Sequence, residues 1–103
     1  MITLESDQQL KDLINEKNVI LLFSADWCPD CRVIEPILPE LEEKYDEWTF
    51  VYVDRDAFIH VCAENDVFGI PSFLAYKNGE EAGRFVSKDR KTKEEIEAFI
   101  EKL

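Results

Sequence analysis

The sequence has no apolar run of about 18 residues, the length one helix needs to cross a bilayer, so a helical membrane span is excluded. Basic residues are few. Twelve Lys and Arg against 23 Asp and Glu leave a net charge of -11, a surface that repels nucleic-acid phosphates and anionic lipid. Solubility is the simplest use of that charge, and a docking face for a basic partner is the alternative. The first residues, Met1-Ile2-Thr3-Leu4-Glu5-Ser6-Asp7, lack the basic start, apolar stretch and small-residue cleavage site of a secretory leader. A cytoplasmic location is therefore expected. No linker, repeat or low-complexity tract interrupts the 103 residues, so residues 1–103 are expected to form one domain around one core. A second C-x-x-C pair is also missing, which leaves Cys28 and Cys31 as half a tetrahedral zinc site at most. No metal is expected. The remaining cysteine, Cys62, reads as a small apolar filler, even with His60 nearby in sequence.

What is present is a regular alternation of patterns. Ser6 with Gln9 resembles a capping box, and Leu10, Leu13 and Ile14 recur at helical spacing, so Ser6 to Lys17 predicts an amphipathic helix. Val19-Ile20-Leu21-Leu22-Phe23 predicts a central strand covered on both faces. From about Pro29 to Lys44 the apolar residues Val33, Ile34, Ile37, Leu38, Leu41 and Tyr45 predict a long helix. Pro36 and Pro39 would each remove one backbone hydrogen bond there and kink it. Thr49 to Val53 predicts a second buried strand, followed by a helical stretch from Ala57 to Glu64. Strands and helices in alternation argue for parallel strands joined by crossover helices. Ser72 to Tyr76 and a shorter strand around Ala82 to Val86 flank Asn78-Gly79, a hairpin signal, and Thr92 with Glu95 opens a last helix carrying Ile96, Phe99, Ile100 and Leu103.

The chemistry sits where the first central strand meets the long helix, in Ala25-Asp26-Trp27-Cys28-Pro29-Asp30-Cys31. Two intervening residues at a helix start bring two sulfurs within bonding reach, and a reducing cytosol makes such a pair redox-active rather than structural. Unpaired N–H groups and the positive helix end favour Cys28 as thiolate, the attacking species. Cys28 is accordingly expected to be the exposed sulfur and Cys31 the buried, resolving one. Pro29 suits the first helical turn, where its missing N–H would be unpaired anyway.

In this order, Val19 to Phe23, Trp27-Cys28-Pro29-Asp30-Cys31, Pro36, Gly69-Ile70-Pro71-Ser72 and Lys77-Asn78-Gly79-Glu80 resemble the thioredoxin family over nearly the whole length. The resemblance implies an α/β thioredoxin fold, a central mixed sheet of four to five strands flanked by helices on both faces. It implies a cis bond before Pro71, whose loop lies against the dithiol, with the Ile70 backbone and the Trp27 and Pro29 side chains at the substrate surface. Departures are visible. The family's usual Cys-Gly-Pro-Cys is here Cys28-Pro29-Asp30-Cys31, and Leu22 and Tyr52 stand where a buried aspartate and lysine assist proton transfer to the resolving thiol. Ser87 replaces a family glycine near the hairpin. Asp30 becomes the candidate proton acceptor for Cys31.

The function expected is reduction of protein disulfides through a Cys28/Cys31 dithiol-disulfide cycle by a monomer without a bound cofactor. Electrons would come from a thioredoxin reductase or a low-molecular-weight thiol. Two alternatives remain: a non-catalytic thioredoxin-like adaptor or redox sensor, and a reductant specialised for small-thiol mixed disulfides.

Overall fold

Val19–Ser24 forms a strand, β2, in which all six residues are buried. Its apolar run needs cover on both faces, and the chain supplies it with helices before and after. The first of these, α1 (Asp7–Glu16), begins at Ser6, whose Oγ accepts from Gln9 N–H at 3.1 Å. Gln9 Oε1 in turn accepts from Glu5 N–H at 2.7 Å, one residue earlier than a strict capping box would place it. Thr92 and Glu95 complete the reciprocal box at the start of the C-terminal helix, Lys93–Glu101.

The computed structural model describes residues 1–103, and its five strands lie side by side in one mixed sheet. Thr49–Asp54 (β3) pairs parallel to β2, while Ser72–Lys77 (β4) pairs antiparallel on the other side, followed by Glu80–Phe85 (β5). Ile2–Thr3 (β1) adds a two-residue parallel edge to β3, giving the order β1-β3-β2-β4-β5. Sequence periodicity does not reveal β1, because two residues carry no period; its partner strand makes it a strand. The β4–β5 turn places Asn78 at φ 57° and Gly79 at φ 83°, two left-handed positions in succession, as the tight hairpin requires.

Alternation along β2 sorts the core. Val19, Leu21 and Phe23 pack with Leu10, Phe58, Val61 and Cys62 on one face; Ile20 and Leu22 pack with Ile34, Leu38, Leu41, Ile96 and Ile100 on the other. The expected filler role of Cys62 agrees with its place in the first layer, where burial pushes its thiol pKa up. His60 meets Asp7 instead, with Nε2 2.8 Å from Oδ1. Truncating a ring as fully enclosed as Phe23 to alanine would cost about 3–5 kcal/mol.

The long helix divides at its prolines. Pro29–Ile34 is α2, Glu35–Ile37 forms a 3-10 turn, and Leu38–Lys44 is α3, with α4 (Ile59–Glu64) and the C-terminal helix, α5, further along. Pro39 cannot donate to the Glu35 carbonyl, and Leu38 N–H takes that acceptor through a shorter-range bond. The break is thereby local, and α2 stays short and anchored at the sheet edge where β2 ends.

Candidate active site

The parallel pairing of β2 and β3 brings both carboxyl ends to one edge of the sheet, and the loops that follow them meet there. Cys28 is the N-cap residue of α2, with extended backbone (φ -88°, ψ 110°), and its Sγ accepts from Cys31 N–H at 3.2 Å. One helical turn separates Cys28 from Cys31; their Cα atoms are 5.3 Å apart and the sulfurs are joined as a disulfide. In the reduced pair that N–H, with the helix dipole behind it, favours a thiolate on Cys28.

One expectation needs correcting. Cys28 is not an exposed sulfur: the residue is only 5% accessible, and Cys31 is fully buried. Trp27 and Pro29 stand proud on either side, and the Ile70 carbonyl oxygen lies 4.0 Å from Cys28 Sγ, so backbone and neighbours cover what capping alone would leave open. Access runs through a groove of about 340 Å³, lined by Trp27, Cys28, Pro29, Asp30, Phe68 and Ile70 among others.

Several walls of this groove are fixed by partners. Trp27, 60% exposed, donates from Nε1 to Asp56 Oδ2 at 2.7 Å, and the Arg55 guanidinium sits 5.9 Å from the indole ring while bonding Asp56 at 3.1 Å. The Trp27 and Arg55 hydrogen bonds hold the Asp56 carboxyl below its usual pKa. The Ile70–Pro71 bond is cis, in line with the family resemblance, and Ile70 precedes the first paired residue of β4, so its backbone lies outside the sheet ladder. Gly69 is required here by space. A Cβ on it would come within 2.6 Å of Lys88 N, and Ser72 Oγ ties the same two segments by donating to the Gly69 carbonyl at 2.6 Å and accepting from Ser87 N–H at 3.3 Å.

Asp30, the acid expected to serve Cys31, has another partner: Arg90 Nε donates to its Oδ1 at 2.9 Å. Lys91 braces the loop that presents Arg90. Its side chain is buried, its ammonium donates to the Ser87 carbonyl (3.2 Å), the Ser87 hydroxyl (3.1 Å) and the Asp89 carbonyl (3.0 Å), and burial pushes its pKa down. Ser87 is thus a structural node of this loop. The structure assembles Trp27, Cys28, Pro29, Asp30 and Ile70 at one groove, while Pro71 and Cys31 are buried and do not line it.

Sequence reading missed Arg55, Asp56, Phe68 and Lys88. The first two follow the carboxyl end of a parallel strand, a position that could have marked them. Phe68, 80% exposed, could be found only by its adjacency to Gly69-Ile70-Pro71. Lys88 comes from the far side of the hairpin and carries no local signal.

Residues 1–102 match the family model described as Thioredoxin. The chain is 37% identical over 103 residues to the protein named Thioredoxin of Bos taurus, covering 97% of this chain and 95% of that one. Among solved structures it superposes on thioredoxin of Plasmodium falciparum with a TM-score of 0.88 at 26% identity, over 99% and 98% of the two chains. Mitochondrial thioredoxin 3 of Saccharomyces cerevisiae, in its oxidised form, gives 0.88 at 25% identity, over 100% and 95%. With this fold, this match and the bonded Cys28–Cys31 pair at the head of α2, the chain belongs to the thioredoxin family and is a thiol-disulfide oxidoreductase.

Proposed function

We propose that the chain works as a reductase of protein disulfides, in the cytoplasm and as a monomer, with Cys28 as nucleophile and Cys31 as resolving thiol. The single observation that carries this is Cys28 Sγ at the N-cap of α2, accepting from the Cys31 N–H and facing a groove. In the first step the Cys28 thiolate attacks one sulfur of the substrate disulfide. A Cys28–substrate bond forms, the substrate S–S bond breaks, and the departing thiolate takes a proton. In the second step Cys31 loses its proton and attacks Cys28 Sγ, expelling the second substrate thiolate and leaving Cys28–Cys31 oxidised. Two electrons pass to the substrate, and a thioredoxin reductase or a low-molecular-weight thiol returns them.

Trp27, Pro29, Ile70 and Pro71 form the substrate surface in this reading. The unladdered Ile70 backbone suits an extended peptide pairing as a strand would, and the exposed rings of Trp27 and Phe68 suit apolar residues beside the substrate cysteine. A second reading, removal of small acidic thiols from mixed disulfides, is supported by Arg55 and Lys88 on the groove wall of a chain whose net charge is -11.

Reduction of insulin with dithiothreitol, or with NADPH and thioredoxin reductase, tests the first reading. Turnover by wild type, and a trapped covalent complex with Cys31→Ser, is the expected result. Failure of wild type on insulin, with rapid release of glutathione from a glutathionylated protein by Cys31→Ser, would favour the second.

A further inference from the structure

The second step needs a group to take the proton from Cys31, a fully buried thiol, and the carboxylate beside it in sequence is already held by Arg90. The inner side of the dithiol helix offers another. Only two buried side-chain polar atoms in the chain lack a hydrogen-bond partner, Ser24 Oγ and Glu35 Oε2. Ser24 still has the Tyr52 phenol beside it, which leaves half-buried Glu35 as the acid with an enclosed, unpartnered oxygen. Ser24 ends β2, on the face that carries Leu22 against α2, and Glu35 follows Cys31 by four residues, its N–H bonded to the Cys31 carbonyl.

Residues four apart on a helix share one face, with Cβ atoms about 5–6 Å apart, and helical side chains lean toward the N-terminus. Glu35 therefore leans along its helix toward Cys31. Leaving a carboxylate oxygen buried without a partner costs about 1–3 kcal/mol, and a fold under no chemical demand removes such a cost by substitution or by pairing. We propose that Glu35 is the proton acceptor for Cys31 when the mixed disulfide is resolved, a role that rests on the two-step reading above.

The step balances within the protein. The Cys31 S–H proton passes to Glu35, directly or across one water; the new thiolate forms the S–S bond to Cys28; the departing substrate thiolate then receives a proton from Glu35 or solvent. Tyr52, from β3, stands on the open side of Glu35 together with Leu38, Pro39, Glu42 and Met1. The charged groups facing this carboxylate are few. The Met1 ammonium is bonded to Glu42 at 2.8 Å, and Asp26 and Asp54 act from the ends of β2 and β3 on the same Tyr52 phenol that feels Glu35. No cation pairs with Glu35.

A two-phase reaction separates this role from the activity itself. An aromatic disulfide such as dithiobis(nitrobenzoate) releases one coloured thiolate when Cys28 attacks and a second when Cys31 resolves the adduct. Glu35→Gln is expected to leave the first phase at the wild-type rate and slow the second by about 10- to 100-fold, within the usual range for general-base assistance. Its second-phase rate should also rise with pH by about tenfold per unit, following the Cys31 thiolate alone. Glu35→Asp should recover part of the rate, and Glu43→Gln, which removes an exposed acid of α3 away from the groove, should keep all of it. A second phase in Glu35→Gln with the wild-type rate and pH profile overturns the proposal, as does equal slowing by Glu43→Gln. Loss of the first phase in wild type would instead overturn the two-step reading. Unfolding of Glu35→Gln in denaturant, expected at or above the wild-type midpoint, keeps a folding defect distinct from a proton-transfer defect.

Discussion

The outer and inner sides of the dithiol helix are built to opposite rules. On the outer side a chain of pairs surrounds Cys28: Trp27 holds Asp56, Asp56 holds Arg55, Asp30 holds Arg90, and Arg32 donates to the Asp26 carbonyl at 2.6 Å. On the inner side, where an unpaired enclosed group is more costly, Glu35 Oε2 is left without a partner. Pairing on the surface adds little stability, because exposed ion pairs are worth about 0–1 kcal/mol. What it supplies is position: a wall of fixed shape around a nearly covered sulfur. The inner side sacrifices stability to keep a lone pair available.

Removing the sulfurs in turn has the largest effect. Cys28→Ser should abolish disulfide reduction, whereas Cys31→Ser should release one thiol equivalent and stop at the mixed disulfide, visible as a mass increase on the protein. Next in size is Gly69→Ala, whose new methyl would collide with the Lys88 backbone. A loss of about 1–3 kcal/mol of unfolding free energy is expected, read by denaturant titration, together with weaker substrate binding as the groove wall shifts. A smaller effect follows from Asp56→Asn, which loosens Trp27 without touching a sulfur. KM should rise about three- to tenfold with kcat nearly constant, the value of roughly one hydrogen bond. Asp30→Asn, which cuts the pair with Arg90 (62% and 34% exposed side chains), should change stability by less than about 0.5 kcal/mol, and by less still at high salt. The smallest signal is in acid. The Asp56 carboxyl is held below its ordinary 3.8, so the Trp27 bond should persist through the usual carboxylate range and fail only below it. The stability linked to this group is present above 3.8 and lost as pH falls through the lower, folded-state value. Trp27 emission, followed in a Trp48→Phe background, checks the order of these events.

Much of the scaffold was legible because each segment agrees with its surroundings. Val19 to Phe23 had no choice but a two-faced burial, and Asn78-Gly79 could turn only one way. The Thr92/Glu95 box formed as written, while the Ser6/Gln9 pair slid by one residue, since Glu5 N–H was equally free to donate. Pro36 and Pro39 announced a break, though not that a 3-10 turn would recover the Glu35 carbonyl. At the site, Cys28, Cys31, Trp27 and Pro71 could be named from one short motif and one X-Pro step. The exposure of Cys28 could not, because its cover comes from Ile70, 42 residues away.

Local chemistry in the chain was enough to determine two sulfurs one helical turn apart, the helix end that activates the first, and the strands that place them. Those follow from spacing and backbone geometry, which act over a few residues. Only the tertiary structure decided which carboxylate is free. Asp30, beside both thiols in sequence, is captured by Arg90 sixty residues on, and Glu35, unremarkable in sequence, is half-buried one turn past Cys31 with one enclosed oxygen that has no partner. Electrostatic pairing is settled by distance through space, and sequence order does not encode it.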